Sequence, residues 1–99
     1  MPKTDALSNK YTYATAIPDN ADLNTYTTVG EYRSTASANA STLVNCPYTG
    51  SGFKLYVMQT SSAQQYVQLI VGYRGIYVRT GQGSSVTWYG WTQLYDFAS

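Results

Sequence analysis

The chain has 99 residues, a formal charge of +1 and only 11% charged residues, with 43% hydrophobic. That length makes one domain with a modest core, and so even a charge leaves no electrostatic footprint for nucleic acid or an anionic membrane. No run approaches the ~18 apolar residues of a membrane span, and zero histidines with one cysteine exclude a His/Cys metal centre and an internal disulfide framework.

Eleven tyrosines outnumber the phenylalanines and tryptophans together. With abundant Thr, Ser and Gly and few strong helix formers, they predict an all-β protein. Residues 1–20 read as an N-terminal lead-in and connector strand, and residues 21–99 as the β domain. Met1 to Asn9 has no period and is expected to be loosely ordered. No signal-peptide hydrophobic region opens the chain, so a route other than ordinary secretion is expected if it acts outside the cell. Tyr11 to Ile17 alternates as a strand, with Tyr11, Tyr13, Thr15 and Ile17 on one face, and stops at Pro18-Asp19-Asn20.

From Ala21 to Tyr32, Asp22 and Asn24 predict a capped helical turn or Asx-turn. Gly30 turns the chain into a short strand, Glu31 to Ser34, and the small polar residues up to Asn45 read as a loop. Pro47 holds Cys46 extended; that lone cysteine reads as a small buried apolar residue, with an inter-chain bridge as the alternative. Tyr48 to Gly52 is a turn. Phe53 to Gln59 alternates, with Phe53, Leu55 and Val57 on one face and Lys54, Tyr56 and Met58 on the other. Gln65 to Tyr73 is the next strand, with Val67, Leu69, Val71 and Tyr73 expected inward and Tyr66, Gln68 and Ile70 outward. Gly72-Tyr73-Arg74-Gly75 forms a tight connection to a strand at Ile76 to Thr80. A loop at Gly81 to Ser85 leads to a second run, Val86 to Leu94, which carries both tryptophans. Tyr95 to Ser99 is expected to fray or pack as a short end. Even spacing without helical period predicts a small antiparallel meander, although a Greek key shares the pattern.

Asp22-Leu23-Asn24, Gly30-x-Tyr32, Tyr77-Val78-Arg79-Thr80 and Trp91-x-x-Leu94, in that order, resemble the knob domain of phage tail fibres and R-type pyocins. The resemblance spans about Ala21 to Tyr95. It implies a homotrimeric β-rich tip that attaches to a bacterial surface receptor as part of a virion tail fibre or extracellular phage-tail-like particle, made in the bacterial cytoplasm. It also gives structural roles to Asp22, Leu23, Asn24, Gly30, Tyr32, Arg79 and Trp91. The chain departs from the pattern at Asn45-Cys46-Pro47 and at Tyr89-Gly90.

Catalysis would have to come from Asp5, Asp19, Asp22, Glu31 and Asp96. Asp22 and Glu31 are the one pair plausibly close enough for glycoside hydrolysis, and Asp22 is already assigned as a cap, so no enzyme activity and no catalytic residue are expected. Asp19-Asn20-x-Asp22-x-Asn24 is the sole oxygen cluster, better explained by turns than by a metal; no metal or other cofactor is expected. Sugars stack C–H faces on aromatic rings while their hydroxyls bond to Asn, Gln, Arg and Ser. Candidate ligand-binding residues are therefore Tyr73 and Arg74 at a hairpin tip, Trp88 and Tyr89 after the glycine loop, then Tyr48 and Tyr66. The competing reading makes Trp88 and Trp91 core residues and packs the tyrosines between subunits. Recognition of a bacterial surface glycan is the expected function, with no nucleic acid and no membrane insertion. A purely structural trimerisation or capping knob is the alternative, and a polysaccharide depolymerase fragment the third.

Overall fold

The computed structural model describes residues 14–61 and 63–97. One seven-stranded sheet organises them. Its strands are β1 (Thr15–Ala16), β2 (Gly30–Ser34), β3 (Phe53–Gln59), β4 (Gln65–Gly72), β5 (Gly75–Gln82), β6 (Thr87–Trp88) and β7 (Thr92–Asp96). From β2 to β5 each strand pairs antiparallel with the next, which is the predicted meander. β5 is long enough to carry two partners on its far edge: β7 pairs with its first half and β6 with its end. β1 joins the other edge in parallel with β2.

Side chains alternate across a sheet, so the register decides what is inside. On β3 the predicted inner row is found: Phe53, Leu55 and Val57 are buried. On β4 the expectation is reversed. Gln68, Ile70 and Gly72 face the core, while Val71 is 38% and Tyr73 78% exposed. Hydropathy alone puts Gln68 outside; its amide is buried because every end of it is bonded. Nε2 donates to the Leu23 and Tyr26 carbonyls at 2.7 and 2.9 Å, and Oε1 accepts from Arg79 Nε at 2.8 Å.

The core face of the sheet is covered by the chain between β1 and β2 and between β2 and β3. Ile17, Leu23, Ala40, Leu43 and Tyr48 come down from these segments onto Phe53, Leu55, Val57 and Ile70. Burying each large aliphatic side chain stabilises the fold by about 1.5–3 kcal/mol. Asp22 caps a single 3-10 turn at Leu23–Thr25, its carboxylate accepting from the Asn24 N–H at 2.9 Å, as the sequence predicts. The segment read as a plain loop contains a four-residue helix, α1 (Ser37–Ala40). Asn39 on α1 is buried and fastens β1 down, its amide donating to the Ile17 carbonyl and to Asp19 Oδ1, both at 2.8 Å.

The connector strand is also corrected. Tyr11 and Tyr13 lie outside the described residues. In what is described, Ala14 and Ile17 are buried and Thr15 and Ala16 are exposed. β1 is a two-residue edge strand, and Ile17 dives into the core once its N–H has bonded the Arg33 carbonyl at 2.8 Å. The tryptophan run is not one strand but two, β6 and β7, separated by Tyr89, Gly90 and Trp91.

Candidate functional site

Arg79 lies at the centre of the arrangement of short motifs. Its guanidinium sits between the indole rings of Trp88 and Trp91, 4.3 and 4.6 Å from their centroids. Each indole N–H is anchored in turn: Trp88 donates to the Asn24 carbonyl at 3.1 Å and Trp91 to the Asn45 carbonyl at 3.0 Å. Asn45 reaches back to Asp22 Oδ1 at 2.8 Å and holds its backbone in the left-handed region at φ 59, where Asn is well tolerated. Burial pushes the Arg79 guanidinium down to about 10, against opposing attraction from Asp22 and Cys46, so it stays charged at neutral pH. The result is a clasp in which one cation and two indoles bind the last strands to the Asp22 turn. It is structural chemistry, and Arg79, at 6% exposed, has no surface to offer a ligand.

Other charged groups are similarly engaged. Glu31 pairs with Lys54 across β2 and β3, which lowers the Glu31 carboxyl and raises the Lys54 ammonium. Asp19 accepts from Asn39, and Asp22 from Asn24 and Asn45. Among the described residues no group of three His, Cys, Asp or Glu side chains gathers to hold a metal. No helix among them is long and apolar enough to cross a membrane. Cys46 is half-buried and donates to the Tyr48 carbonyl at 3.2 Å; burial pushes its thiol up.

The six candidate ligand residues divide between the two ends of the sheet. At the β4–β5 turn, Tyr73 is 78% exposed, with the Arg74 guanidinium 5.7 Å from its ring centroid. Tyr48 is beneath, only 6% exposed. Its hydroxyl accepts from the Arg74 N–H at 2.8 Å and its ring lies against Gly72. Tyr48 therefore holds this tip in place and presents no ring face.

The opposite end holds Tyr66, Trp88 and Tyr89. Tyr66 and Trp88 lie with ring centroids 6.2 Å apart, and Trp88 is committed to the clasp beneath. Tyr66 and Tyr89 line a recess of about 200 Å³ with Thr60, Gln65, Val67 and Gln82. A second cleft of about 500 Å³ adjoins it, lined by Gln64, Gln65, Gln82, Ser84, Ser85 and Thr87, and again by Tyr89. That volume lies in the ~300–1,000 Å³ range of small-ligand sites. The walls are tied together: the Gly83 N–H donates to the Gln64 carbonyl at 3.0 Å, and Gln82 Nε2 to the Tyr89 hydroxyl at 3.1 Å. Gly83, at φ 108, supplies a backbone conformation that other residues rarely adopt.

Sequence reasoning named Tyr89 as a candidate but not the glutamines and serines that surround it. Their signal was the Gly81 to Ser85 loop, legible as a loop only. Which residues face it from the β3–β4 turn depends on the pairing register.

No protein-family model and no curated protein sequence matches the chain. The fold is shared with solved R-type pyocin fibres. A C-terminal fragment of the P. aeruginosa R1 pyocin fibre superposes with a TM-score of 0.72 at 23% identity, over 86% of this chain and 22% of that one. An N-truncated R2-type pyocin tail fibre gives 0.71 at 22% identity, covering 85% and 33% respectively. A C-terminal fragment of the P. aeruginosa R2 pyocin fibre gives 0.71 at 22%, covering 85% and 22%. The chain thus spans a third or less of the fibres it matches.

Proposed function

We propose that this chain is a tail-fibre domain of a phage or phage-tail-like particle, and that it recognises a bacterial surface glycan through the cleft between the β3–β4 turn and the β5–β6 loop. The observation that carries the reading is that cleft, where Tyr89 stands among Gln, Ser and Thr side chains. Aromatic rings with amide and hydroxyl groups are the combination that takes up a sugar's C–H faces and its hydroxyls together. The fold shared with pyocin fibres supports the particle context, and with it a knob-like tip. Catalysis has no support: Glu31 is paired with Lys54, and Asp22 is occupied as a cap.

The same reading makes the working form a homotrimer. Tyr56, Leu69, Ile76 and Val78 alternate with the core-facing residues and so lie on the opposite face of the sheet, beside the 38%-exposed Met58 and Val71. Among the described residues these side chains are only partly buried, which suits burial against other copies. This surface also favours the second reading, a structural knob that registers and caps a fibre while another domain reads the receptor.

Adsorption of the labelled chain to a panel of bacterial strains separates the two. Tyr89→Ala with Gln82→Ala is expected to reduce adsorption at least about tenfold, with oligomeric mass unchanged. Adsorption that is absent from every strain, or untouched by the pair, supports the structural knob.

A further inference from the structure

The cleft has a chemical bias that narrows its ligand, on the reading that it is a glycan site. Gln65 on β4 stands directly opposite Gln82 on β5, and Gln82 stands opposite Thr87 on β6. All three are exposed. They form a row across three strands that leads into the Ser84–Ser85 wall and ends against Tyr89. Every polar side chain in this row is neutral, and each amide both donates and accepts.

The basic residues of the described chain are placed elsewhere. Arg74 is at the far tip beside Tyr73, and Arg79 lies between the indoles. Lys54 is paired with Glu31, and Arg33 lies on β2, three strands from β5. None of them lines either recess. A carboxylate or phosphate only accepts hydrogen bonds and loses its hydration on entry, so it needs a cation or several converging N–H donors. Vicinal sugar hydroxyls donate and accept, as the amide row does.

We infer that the cleft selects an uncharged saccharide, a neutral hexose-type repeat of a bacterial surface polysaccharide, against uronate-, sialate- or phosphate-bearing ones. The Gln65–Gln82–Thr87 row is its hydroxyl-reading element and Tyr89 its stacking face. Binding should then be almost independent of ionic strength, because no counterion is released and no fixed charge is screened.

The test is binding of the full chain to an array of bacterial polysaccharides of known repeat structure, neutral and acidic, at low and high salt. Gln82→Ala is compared in parallel, and Tyr73→Ala serves as the far-tip control. The expected result is binding confined to neutral repeats, changing less than about twofold with salt, and weakened at least about tenfold by Gln82→Ala but not by Tyr73→Ala. Binding confined to acidic repeats, or falling steeply with salt, would overturn the neutral assignment and leave the glycan reading standing. Neutral-repeat binding that ignores Gln82→Ala would overturn the placement in this cleft. Silence across the whole array would overturn the glycan reading together with the inference.

Discussion

Arg79 Nε donates to Gln68 Oε1 at 2.8 Å across the β4–β5 pair, joining two buried polar side chains on the core face of the sheet. Gln68 passes the connection on to the Leu23 and Tyr26 carbonyls, and Arg79 passes it to the two indoles. Gln68→Leu would leave a buried guanidinium N–H without its acceptor and take a donor from the Leu23 and Tyr26 carbonyls, of which Leu23 keeps the Tyr26 N–H. It is expected to cost roughly 2–4 kcal/mol. Arg79→Lys, which loses the planar stack, falls in the same range. Urea denaturation of both single variants and the double is the check. The double should cost less than the sum, because the two residues act as one network.

Gly81 and Gly72 are set by close approach rather than by backbone conformation. A Cβ at Gly81 would stand 2.6 Å from Trp88 Cε3, and one at Gly72 would stand 2.5 Å from the Tyr48 ring. Either alanine substitution must displace an aromatic ring, with an expected cost of about 1–3 kcal/mol. The two differ in what moves. Gly81→Ala should change the tryptophan fluorescence of the folded state, whereas Gly72→Ala should leave it unchanged and disturb the Tyr73–Arg74 tip.

The alternation of Phe53 to Gln59, the Asp22 cap and the meander are legible in the sequence because each is a local signal: a period of two, a short acceptor before a turn, and turn residues at even intervals. The face of β4 is not. Val67, Leu69 and Val71 outweigh Gln68 in any hydropathy count, and only the carbonyls of Leu23 and Tyr26, more than forty positions away, make the inside the better place for an amide. For the same reason Tyr89 can be proposed from sequence, but its gathering with Gln82 cannot. That gathering needs the pairing of β4 with β5 and the return of the chain after β6.

The Glu31–Lys54 pair should leave a pH signature. The carboxyl is lowered from 4.5, so its contribution is present above that value and lost as pH falls through the lowered one. The ammonium is raised from 10.5, so its contribution is present below that value and lost as pH rises through the raised one. The stability difference between the native chain and Glu31→Gln should therefore be constant across the neutral range and vanish in acid. It should be small and shrink with salt, as expected for an exposed pair. Chemical denaturation at a series of pH values tests this, and a difference that persists unchanged in strong acid would contradict it.

Cys46 is expected to be a sluggish thiol. Burial raises its pKa, and its hydrogen points at the Tyr48 carbonyl, so little thiolate is present near neutrality. Alkylation by iodoacetamide should be at least roughly tenfold slower in the folded chain than in urea. Equal rates would mean that the thiol is open to solvent.

The proposed homotrimer makes the outer sheet face a contact between copies. Light scattering or native mass spectrometry should give a mass of three chains for the native protein. Met58→Lys with Val71→Lys should give one chain with an unchanged circular dichroism spectrum, since both positions are 38% exposed within a single chain and tolerate charge there. A native chain that stays monomeric at high concentration would remove inter-subunit burial as the role of this face.

Nuclear magnetic resonance shows directly whether the chain meets its receptor in the cleft between the β3–β4 turn and the β5–β6 loop. The isotope-labelled chain would be titrated with surface polysaccharide purified from a strain to which it adsorbs, and amide shifts followed residue by residue. Perturbations are expected at Gln64, Gln65 and from Gln82 to Tyr89. Perturbations centred on Tyr73 and Arg74, at the other end of the sheet, would contradict that placement.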